Sequence, residues 1–175
     1  MTYDQYRLMP EDGKRYELVN GELLMTPSPT PKHQRILNEI NLALSAHVKR
    51  NRLGEVFIAP VDVVFDEHTV LEPDLLFIRS ARAPIVGEKA IHGAPDLVVE
   101  ILSPSSFYHD LRVKMSLYGK FGVEEYWIVD PEKETIEQYR IAGAKLELAR
   151  QFSSDAALES PIFPGFRLPV KSIFE

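Results

Sequence analysis

Three ionisable residues in the middle of this chain occupy positions where apolar residues are expected. Asp74 lies in the apolar segment 71–78, and Glu100 lies in the apolar segment 96–102. The alternation of side chains along a strand places each carboxylate on a largely apolar face. Lys114 follows in a segment of helical periodicity, on the same stripe as apolar and aromatic residues. All three side chains are therefore predicted to point towards the core.

Two carboxylates and a lysine of this kind are suited to metal-dependent hydrolysis. Burying an unpaired carboxylate is costly, so each one needs a hydrogen-bond donor, a cation or water. Carboxylates on neighbouring strands can hold Mg²⁺, or Mn²⁺, and leave room for water and phosphate. A nearby lysine can orient the attacking water or stabilise the charge that develops on a phosphate. The set of Asp74, Glu100 and Lys114 thus predicts cleavage of phosphodiester bonds.

Each of these residues also has a purely structural interpretation. Asp74 follows a proline and could cap a turn, and Glu100 could pair with a group on a neighbouring strand. Lys114 could pair with Asp110, four residues before it, for about 0.3 kcal/mol. Residue types and spacing alone leave these alternatives open.

The first elements along the chain are a hairpin and a long helix. Asn20-Gly21 lies between two apolar-rich arms in segment 15–25 and predicts a type I′ turn. Thr30 is predicted to cap a helix whose first turn contains Pro31 and which ends near Gly54. This helix should pack on a sheet.

The candidate catalytic residues lie in the segments that follow, which are predicted as strands and a second helix. Segments 55–65, 71–78 and 96–102 are each predicted as one continuous strand, which would place Asp74 on the face of Leu76 and Ile78. A loop with at most one helical turn is predicted between the last two strands. Ser105 or Ser106 should cap a helix that reaches about residue 121.

The end of the chain should complete a mixed sheet. Segment 124–130 is predicted as a central strand, and a crossover through the second helix should leave it parallel to strand 96–102. A further hairpin should join segments 135–141 and 145–152, and the proline-rich tail should drape over the core. The predicted fold is a mixed α/β domain, with a central mixed sheet, flanking helices and hairpins near both ends.

Several blocks of the sequence together resemble one family. They are YELVNGELL, SPTPKH, Pro73-Asp74, Glu100 in VVEILSPS, Asp110 with Lys114, YGKFGVEEYWIVDP and FPGFRL, in that order. This pattern is similar to the Uma-type restriction endonucleases, long classed as a domain of unknown function, and it covers nearly the whole chain. The resemblance implies the restriction-endonuclease-like PD-(D/E)XK fold and a divalent metal bound on the sheet.

The resemblance also implies roles for individual residues. Asp74 resembles the aspartate of the PD pair and Glu100 the acidic residue of (D/E)XK, which are the two metal ligands. The family lysine two residues later is absent, because that position is Leu102. Lys114, on the inward stripe of the next helix, could place its ammonium in the vacated space.

Other ionisable residues are weaker candidates. His33 lies on the inward stripe of the first helix and could contact a phosphate or the metal, although packing or capping is favoured. Glu17 and Glu22 flank the hairpin turn, where exposed carboxylates are ordinary. Asp62 is predicted to share a face with neighbouring apolar residues and to support the site. Glu39 could approach the metal from the first helix, although solvation is favoured.

The composition of the chain excludes several kinds of site and favours others. The 175 residues contain no cysteine, which excludes disulfides and thiolate chemistry and fits a cytoplasmic location. No apolar run approaches the length needed to span a bilayer, and one domain over residues 1–175 is expected. The net charge of −6 argues against coating of duplex by bulk electrostatics. Segment 47–52, with Lys32 and Arg35 on the same helix, is either a local basic patch or an ordinary solvated helix end.

Two functions of different class remain open. The leading one is a Mg²⁺-dependent endonuclease acting on nucleic acid, with DNA favoured, and a homodimer is expected because cutting both strands of a duplex requires two sites. The alternative is a catalytically inactive binding or assembly module that retains the fold, which the acidic charge and Leu102 favour. A purely structural domain would leave the inward-facing charges unexplained.

Overall fold

A computed structural model of the chain describes residues 1–103 and 108–175, and the side chains of 108–110 lie outside that description. The helices are Tyr3–Tyr6 (α1), Pro31–Asn51 (α2), Tyr108–Phe121 (α3) and Val170–Phe174 (α4), with a 3₁₀ helix at Ser80–Ile85. The strands are Arg15–Val19 (β1), Glu22–Thr26 (β2), Gly54–Ile58 (β3), Val63–Asp66 (β4), Thr69–Leu71 (β5), Leu75–Arg79 (β6), Ile91–His92 (β7), Leu97–Ile101 (β8), Glu125–Asp130 (β9), Thr135–Ala142 (β10), Lys145–Phe152 (β11), Ala157–Ser160 (β12) and Phe163–Pro169 (β13).

The central element is a mixed sheet of six strands in the order β11-β10-β9-β8-β6-β3. The pair β8–β9 is parallel, as predicted, and the other neighbours are antiparallel. A second sheet has the order β2-β1-β5-β4-β7, and β12 pairs with β13.

Alternate residues of the central strands contribute to two hydrophobic clusters, one on each face. One cluster joins Leu75, Phe77 and Val99 to the apolar stripe of α2, and the tail packs on it through Phe163 and Ile173. The other cluster joins the alternate residues of β6 and β8 to the apolar stripe of α3. The two long helices therefore cover opposite faces of the sheet.

The first hairpin and the first long helix form as predicted. Asn20 and Gly21 have positive φ angles of 50° and 86°, as a type I′ turn requires. The Thr30 hydroxyl accepts a hydrogen bond from the backbone N–H of His33 and so caps α2. The helix ends at Asn51, slightly before the predicted end near Gly54, because Arg52 adopts the left-handed conformation that ends the helix.

Two of the three predicted continuous strands are each divided between two sheets. The chain leaves the central sheet after β3, passes Pro60 and enters the second sheet at β4. It returns between β5 and β6, through Glu72, Pro73 and Asp74. Proline has no N–H to give to a strand ladder, which explains why each change of sheet contains one. The predicted strand position of Asp74, on the face of Leu76 and Ile78, is therefore wrong: Asp74 precedes β6.

The rest of the chain follows the predictions more closely. Gly122, with a φ of 84°, comes directly after α3, and β10 and β11 form the predicted hairpin. The proposed caps Ser105 and Ser106 lie outside the described residues. Among the described residues, no helix combines the length and apolarity needed to cross a membrane.

Candidate functional site

Asp74 directly precedes β6, an inner strand of the central sheet, and its side chain is held there by two hydrogen bonds. Its Oδ2 atom accepts a bond of 2.8 Å from the backbone N–H of Ile101, the residue that follows Glu100 at the end of β8. The same oxygen accepts a bond of 3.0 Å from Nε2 of His33, in the first turn of α2. Asp74 is 8% exposed and His33 is 6% exposed, so both are buried. The bond to Ile101 brings the Asp74 carboxylate next to Glu100.

Glu100 faces α3 rather than α2. Its Oε1 atom accepts hydrogen bonds from the Lys114 ammonium, at 3.1 Å, and from the Tyr118 hydroxyl, at 2.8 Å. Both donors come from one stripe of α3, as their four-residue spacing predicts. Burial raises the pKa of Glu100 to about 7; repulsion from Asp74 and Glu17 adds to this rise, and the Lys114 ammonium opposes it.

Lys114 lies between two carboxylates. Its Nζ atom is 2.7 Å from Oε1 of Glu17 and 3.1 Å from Oε1 of Glu100, and its side chain is 16% exposed. Burial alone lowers the pKa of Lys114, but the charges of Glu100 and Glu17 outweigh burial and raise the pKa above its ordinary value. Lys114 is therefore a permanent cation near neutral pH. A role as a general base, which would need a free amine, does not fit this position.

Glu17 was not expected at the site. The prediction of an ordinary exposed hairpin carboxylate is wrong, because Glu17 is 4% exposed and contacts Lys114. Its Oε1 atom also accepts a 2.9 Å hydrogen bond from the backbone N–H of Glu72. The spacing of Glu17 does not distinguish it from a solvated strand residue. The sequence feature that could have indicated its role was its position in segment 16–24, one of the blocks that resemble the family.

One cleft of about 570 Å³ is lined by Glu17, His33, Asp74, Glu100 and Lys114, whereas Tyr118 is not among its lining residues. Asp74, Glu100, Lys114 and His33 form one part of it, and β1 and β2 form another part. The structure thus brings the three predicted residues together, and His33 contacts Asp74 instead of serving only for packing or capping.

The remaining candidate residues differ in whether they line this cleft. Glu22 is exposed and lines the cleft, whereas Glu39 is exposed on α2 and is not among the lining residues. Asp62 is not among the lining residues, and it accepts a 3.1 Å hydrogen bond from the Tyr6 hydroxyl. Its predicted face was wrong, because Pro60 divides the strand on which that prediction depended.

The pKa of Asp62 reflects its surroundings. Burial raises the pKa of this carboxyl to about 6; the charges of Glu72 and Glu17 add to the rise, and the hydrogen bond from Tyr6 opposes it. Asp62 thus belongs to a group of acids that extends from the cleft into the second sheet.

The carboxylates of Asp74 and Glu100 fit a hard divalent cation. The hydrogen bonds described above use Asp74 Oδ2 and Glu100 Oε1, and each carboxylate also has a second oxygen with lone pairs that can bind a cation. Described residues form no cluster of three or more histidine or carboxylate side chains around one point. Two carboxylates suffice for Mg²⁺, which commonly keeps several waters and binds substrate phosphate.

The position of the missing family lysine is apolar in the structure. Leu102 is half-buried and packs against the hydrophobic cluster under α3. The ammonium next to Glu100 comes from Lys114, one element later in the chain.

Comparisons with known proteins agree with this architecture. The family model Uma2, described as "Putative restriction endonuclease", matches residues 3–171. A solved structure from Anabaena variabilis ATCC 29413, described as "a putative nuclease belonging to DUF820", has a TM-score of 0.83 and 26% sequence identity to this chain. The alignment covers 99% of this chain and 97% of that one.

No curated protein matches the chain. The family match and the solved structure confirm the predicted restriction-endonuclease-like fold, with its mixed sheets and flanking helices. They also support a nuclease function in general terms. The chain therefore belongs to the Uma2 family of putative restriction endonucleases.

Proposed function

We propose that this protein is a Mg²⁺-dependent endonuclease that hydrolyses phosphodiester bonds in DNA. The observation that carries the proposal is the position of Lys114, whose ammonium lies 3.1 Å from Glu100 in the cleft that also contains Asp74. The ammonium lies beside two buried carboxylates, Glu17 and Glu100, and such a cation can stabilise charge on a phosphate. The family match to putative restriction endonucleases supports the same chemistry.

Asp74 and Glu100 are the residues that would hold the metal. When bound, Mg²⁺ would acidify a water molecule and neutralise charge on the phosphate. His33 and the amide of Ile101 fix Asp74, and the Tyr118 hydroxyl fixes Glu100. Tyr118 can act as a neutral donor, because burial and the Glu100 charge raise its pKa well above the ordinary range.

Lys114 would act on the phosphate as a cation. An ammonium has three N–H donors, and Glu17 and Glu100 account for two of them. The third donor can reach a phosphate oxygen and stabilise the charge that develops there. Glu17 is a positioning residue in this scheme, because it holds the ammonium from the hairpin side.

One observation favours the second candidate, a binding module without turnover. Both basic side chains among the described residues of the cleft are already paired: Lys114 with Glu17 and Glu100, and Arg15 with Glu72 at 2.7 Å. A module of this kind would keep the cleft but would not cut.

Cleavage of circular DNA separates the two candidates. Purified protein with Mg²⁺ or Mn²⁺ should convert circular single-stranded and supercoiled substrates to cut forms, and EDTA should stop the reaction. Glu100→Gln, prepared identically, should lose activity and regain part of it at high metal concentration, because a ligand charge is removed. Equal cutting by wild type and Glu100→Gln would indicate a contaminant. No cutting of any substrate by the wild type would favour the binding module.

A further inference from the structure

The hairpin of β1 and β2 gives the cleft an apolar wall next to its carboxylates. Leu24 pairs directly with Glu17 across the hairpin, so the two side chains lie on the same face of the ribbon. Leu24 is 38% exposed, although it lies beside a carboxylate that is 4% exposed. The other apolar residues of the cleft include Val19, Leu111 and Val113.

The charge of the cleft is unsuited to attracting a polyanion over a long track. Besides His33, its described ionisable side chains are five carboxylates and two cations: Glu17, Glu22, Glu72, Asp74, Glu100, Arg15 and Lys114. Duplex binding depends on several lysine or arginine contacts to phosphates. A bound divalent cation would offset part of this negative charge at a single phosphate.

The basic segment 47–52 does not supply the missing contacts. It lies at the C-terminal end of α2, whereas His33 lies in the first turn of the same helix. A rise of about 1.5 Å per residue puts Lys49 roughly 24 Å from His33 along the helix axis. Lys32 does not supply them either, because its ammonium donates a hydrogen bond of 3.1 Å to the carbonyl oxygen of Pro131.

Binding energy for a substrate should therefore come from two sources, the metal and the apolar wall. A volume of about 570 Å³ lies within the range of pockets that enclose small organic groups. A nucleobase has two apolar faces, but in a duplex its neighbours in the stack cover both of them. A base must be unstacked before one of its faces can contact a protein side chain.

We infer that the cleft binds one unstacked nucleobase of single-stranded DNA against Leu24, while an adjoining phosphate reaches Asp74 and Glu100. This inference rests on the proposed nuclease function for the position of the phosphate. It names the substrate class of the site: single-stranded or locally opened DNA, in preference to intact duplex.

Binding of labelled oligonucleotides by fluorescence anisotropy tests the inference. The measurement uses the full chain in Ca²⁺, with the oligonucleotide shown to be intact afterwards. Its substrates are one single strand, the same sequence as a duplex, and the same strand made of abasic residues. The variants are Leu24→Ala and, as a matched control, Leu148→Ala, because Leu148 is 55% exposed on β11 and does not line the cleft.

The wild type should bind the normal single strand about tenfold more tightly than the duplex or the abasic strand. Leu24→Ala should lose about tenfold for the normal strand and little for the abasic strand, and Leu148→Ala should match the wild type. Equal affinity for single strand and duplex, or an equal loss by Leu24→Ala on normal and abasic strands, would overturn the inference. Base-dependent binding without cleavage in Mg²⁺ would instead refute the nuclease function while supporting the base pocket.

Discussion

Lys114 is the residue on which the proposed chemistry depends most. Its ammonium lies between Glu17 and Glu100, and the two carboxylates keep it protonated. A cation in this position can act on a phosphate without binding metal itself. The roles of lysine and carboxylate can therefore be separated by experiment.

The first prediction concerns Lys114→Ala. Metal binding should persist, because the carboxylates of Asp74 and Glu100 remain, whereas single-turnover cleavage should slow by about 10²-fold or more. Excess Mg²⁺ should not restore the rate, in contrast to Glu100→Gln. Circular dichroism would verify the fold of both variants. Cleavage by Lys114→Ala at the wild-type rate would remove this residue from the mechanism.

The second prediction concerns the stability contribution of Asp62. The pKa of this carboxyl is about 6 in the folded protein, above the ordinary value of about 4 expected in the unfolded chain. The folded state therefore binds more protons between these values, so stability due to Asp62 is full below pH 4 and is lost as pH rises through 6.

Thermal unfolding in EDTA from pH 4 to pH 7 measures this effect. Asp62→Asn keeps an acceptor for the Tyr6 hydroxyl but does not titrate, so its melting temperature should rise relative to the wild type as pH increases. Glu39→Gln, at an exposed position on α2, should follow the wild-type profile. Parallel profiles for wild type and Asp62→Asn would contradict the assignment.

At the residue scale, the sequence identified Asp74, Glu100 and Lys114 because each interrupts an apolar pattern. Glu17 interrupts no apolar run, since it lies between Tyr16 and Leu18 in the alternation expected of a half-exposed strand. Its burial results from contact with α3, almost 100 residues later in the chain. Local periodicity carries no information about such a contact.

At the element scale, the strands that were predicted least well are those that change sheets. Segments 55–65 and 71–78 are each predicted as one continuous strand, because the two halves of each segment are apolar-rich. The two halves of each segment belong to two different sheets, and Pro60 or Pro73 lies between them. Periodicity detects strands, but it does not tell which neighbour each strand joins.

The sheet change at Pro73 affects the geometry of the proposed site. Asp74 lies in the connection and its side chain accepts a hydrogen bond from the backbone N–H of Ile101, so the carboxylate is held where β6 begins and β8 ends. A position inside β6 would have directed it to the packed face. The proline therefore contributes to placing Asp74 just before β6, where its side chain lines the cleft.

The third prediction tests the packing of strand β3 beside β6. A Cβ atom on Gly54 would lie 2.0 Å from the backbone carbonyl oxygen of Ile78, so Gly54→Ala must displace one of the two strands. The free energy of unfolding should fall by about 3 kcal/mol or more. In a chain of this size that corresponds to a melting temperature lower by about 6–12 °C.

Gly165→Ala is the matched control for this substitution. A Cβ atom at Gly165 would meet no atom within 4 Å, and its φ of 77° leaves only the cost of a left-handed residue, about 1–2 kcal/mol. Gly54→Ala should therefore be clearly the less stable of the two in calorimetry. Equal stability of the two variants would show that β3 and β6 are not packed as described.

At the scale of the whole molecule, negative charge is concentrated at the proposed site. The chain has a net charge of −6, and the described residues of the cleft include more carboxylates than cations. Repulsion from Asp74 and Glu17 adds to the rise in the pKa of Glu100. A divalent cation should relieve this repulsion and stabilise the native fold.

The fourth prediction is a metal-dependent rise in melting temperature. At a concentration of Mg²⁺ or Mn²⁺ about 100-fold above its dissociation constant, binding to the native state adds about 2.7 kcal/mol. The melting temperature should then rise by about 5–10 °C. Asp74→Asn should abolish the shift, whereas Glu39→Gln should retain it. The same shift in Asp74→Asn and in the wild type would place the metal elsewhere.

The proposed nuclease site requires that Asp74 and Glu100 share a divalent cation beside Lys114. Crystals of the protein soaked in Mn²⁺ test it most directly, because the anomalous signal of manganese locates the ion independently of the protein model. One anomalous peak is expected between the two carboxylates, at ligand distances of about 2.0–2.3 Å from an oxygen of each. Manganese bound at other carboxylates, with none between Asp74 and Glu100 at saturating concentration, would contradict it.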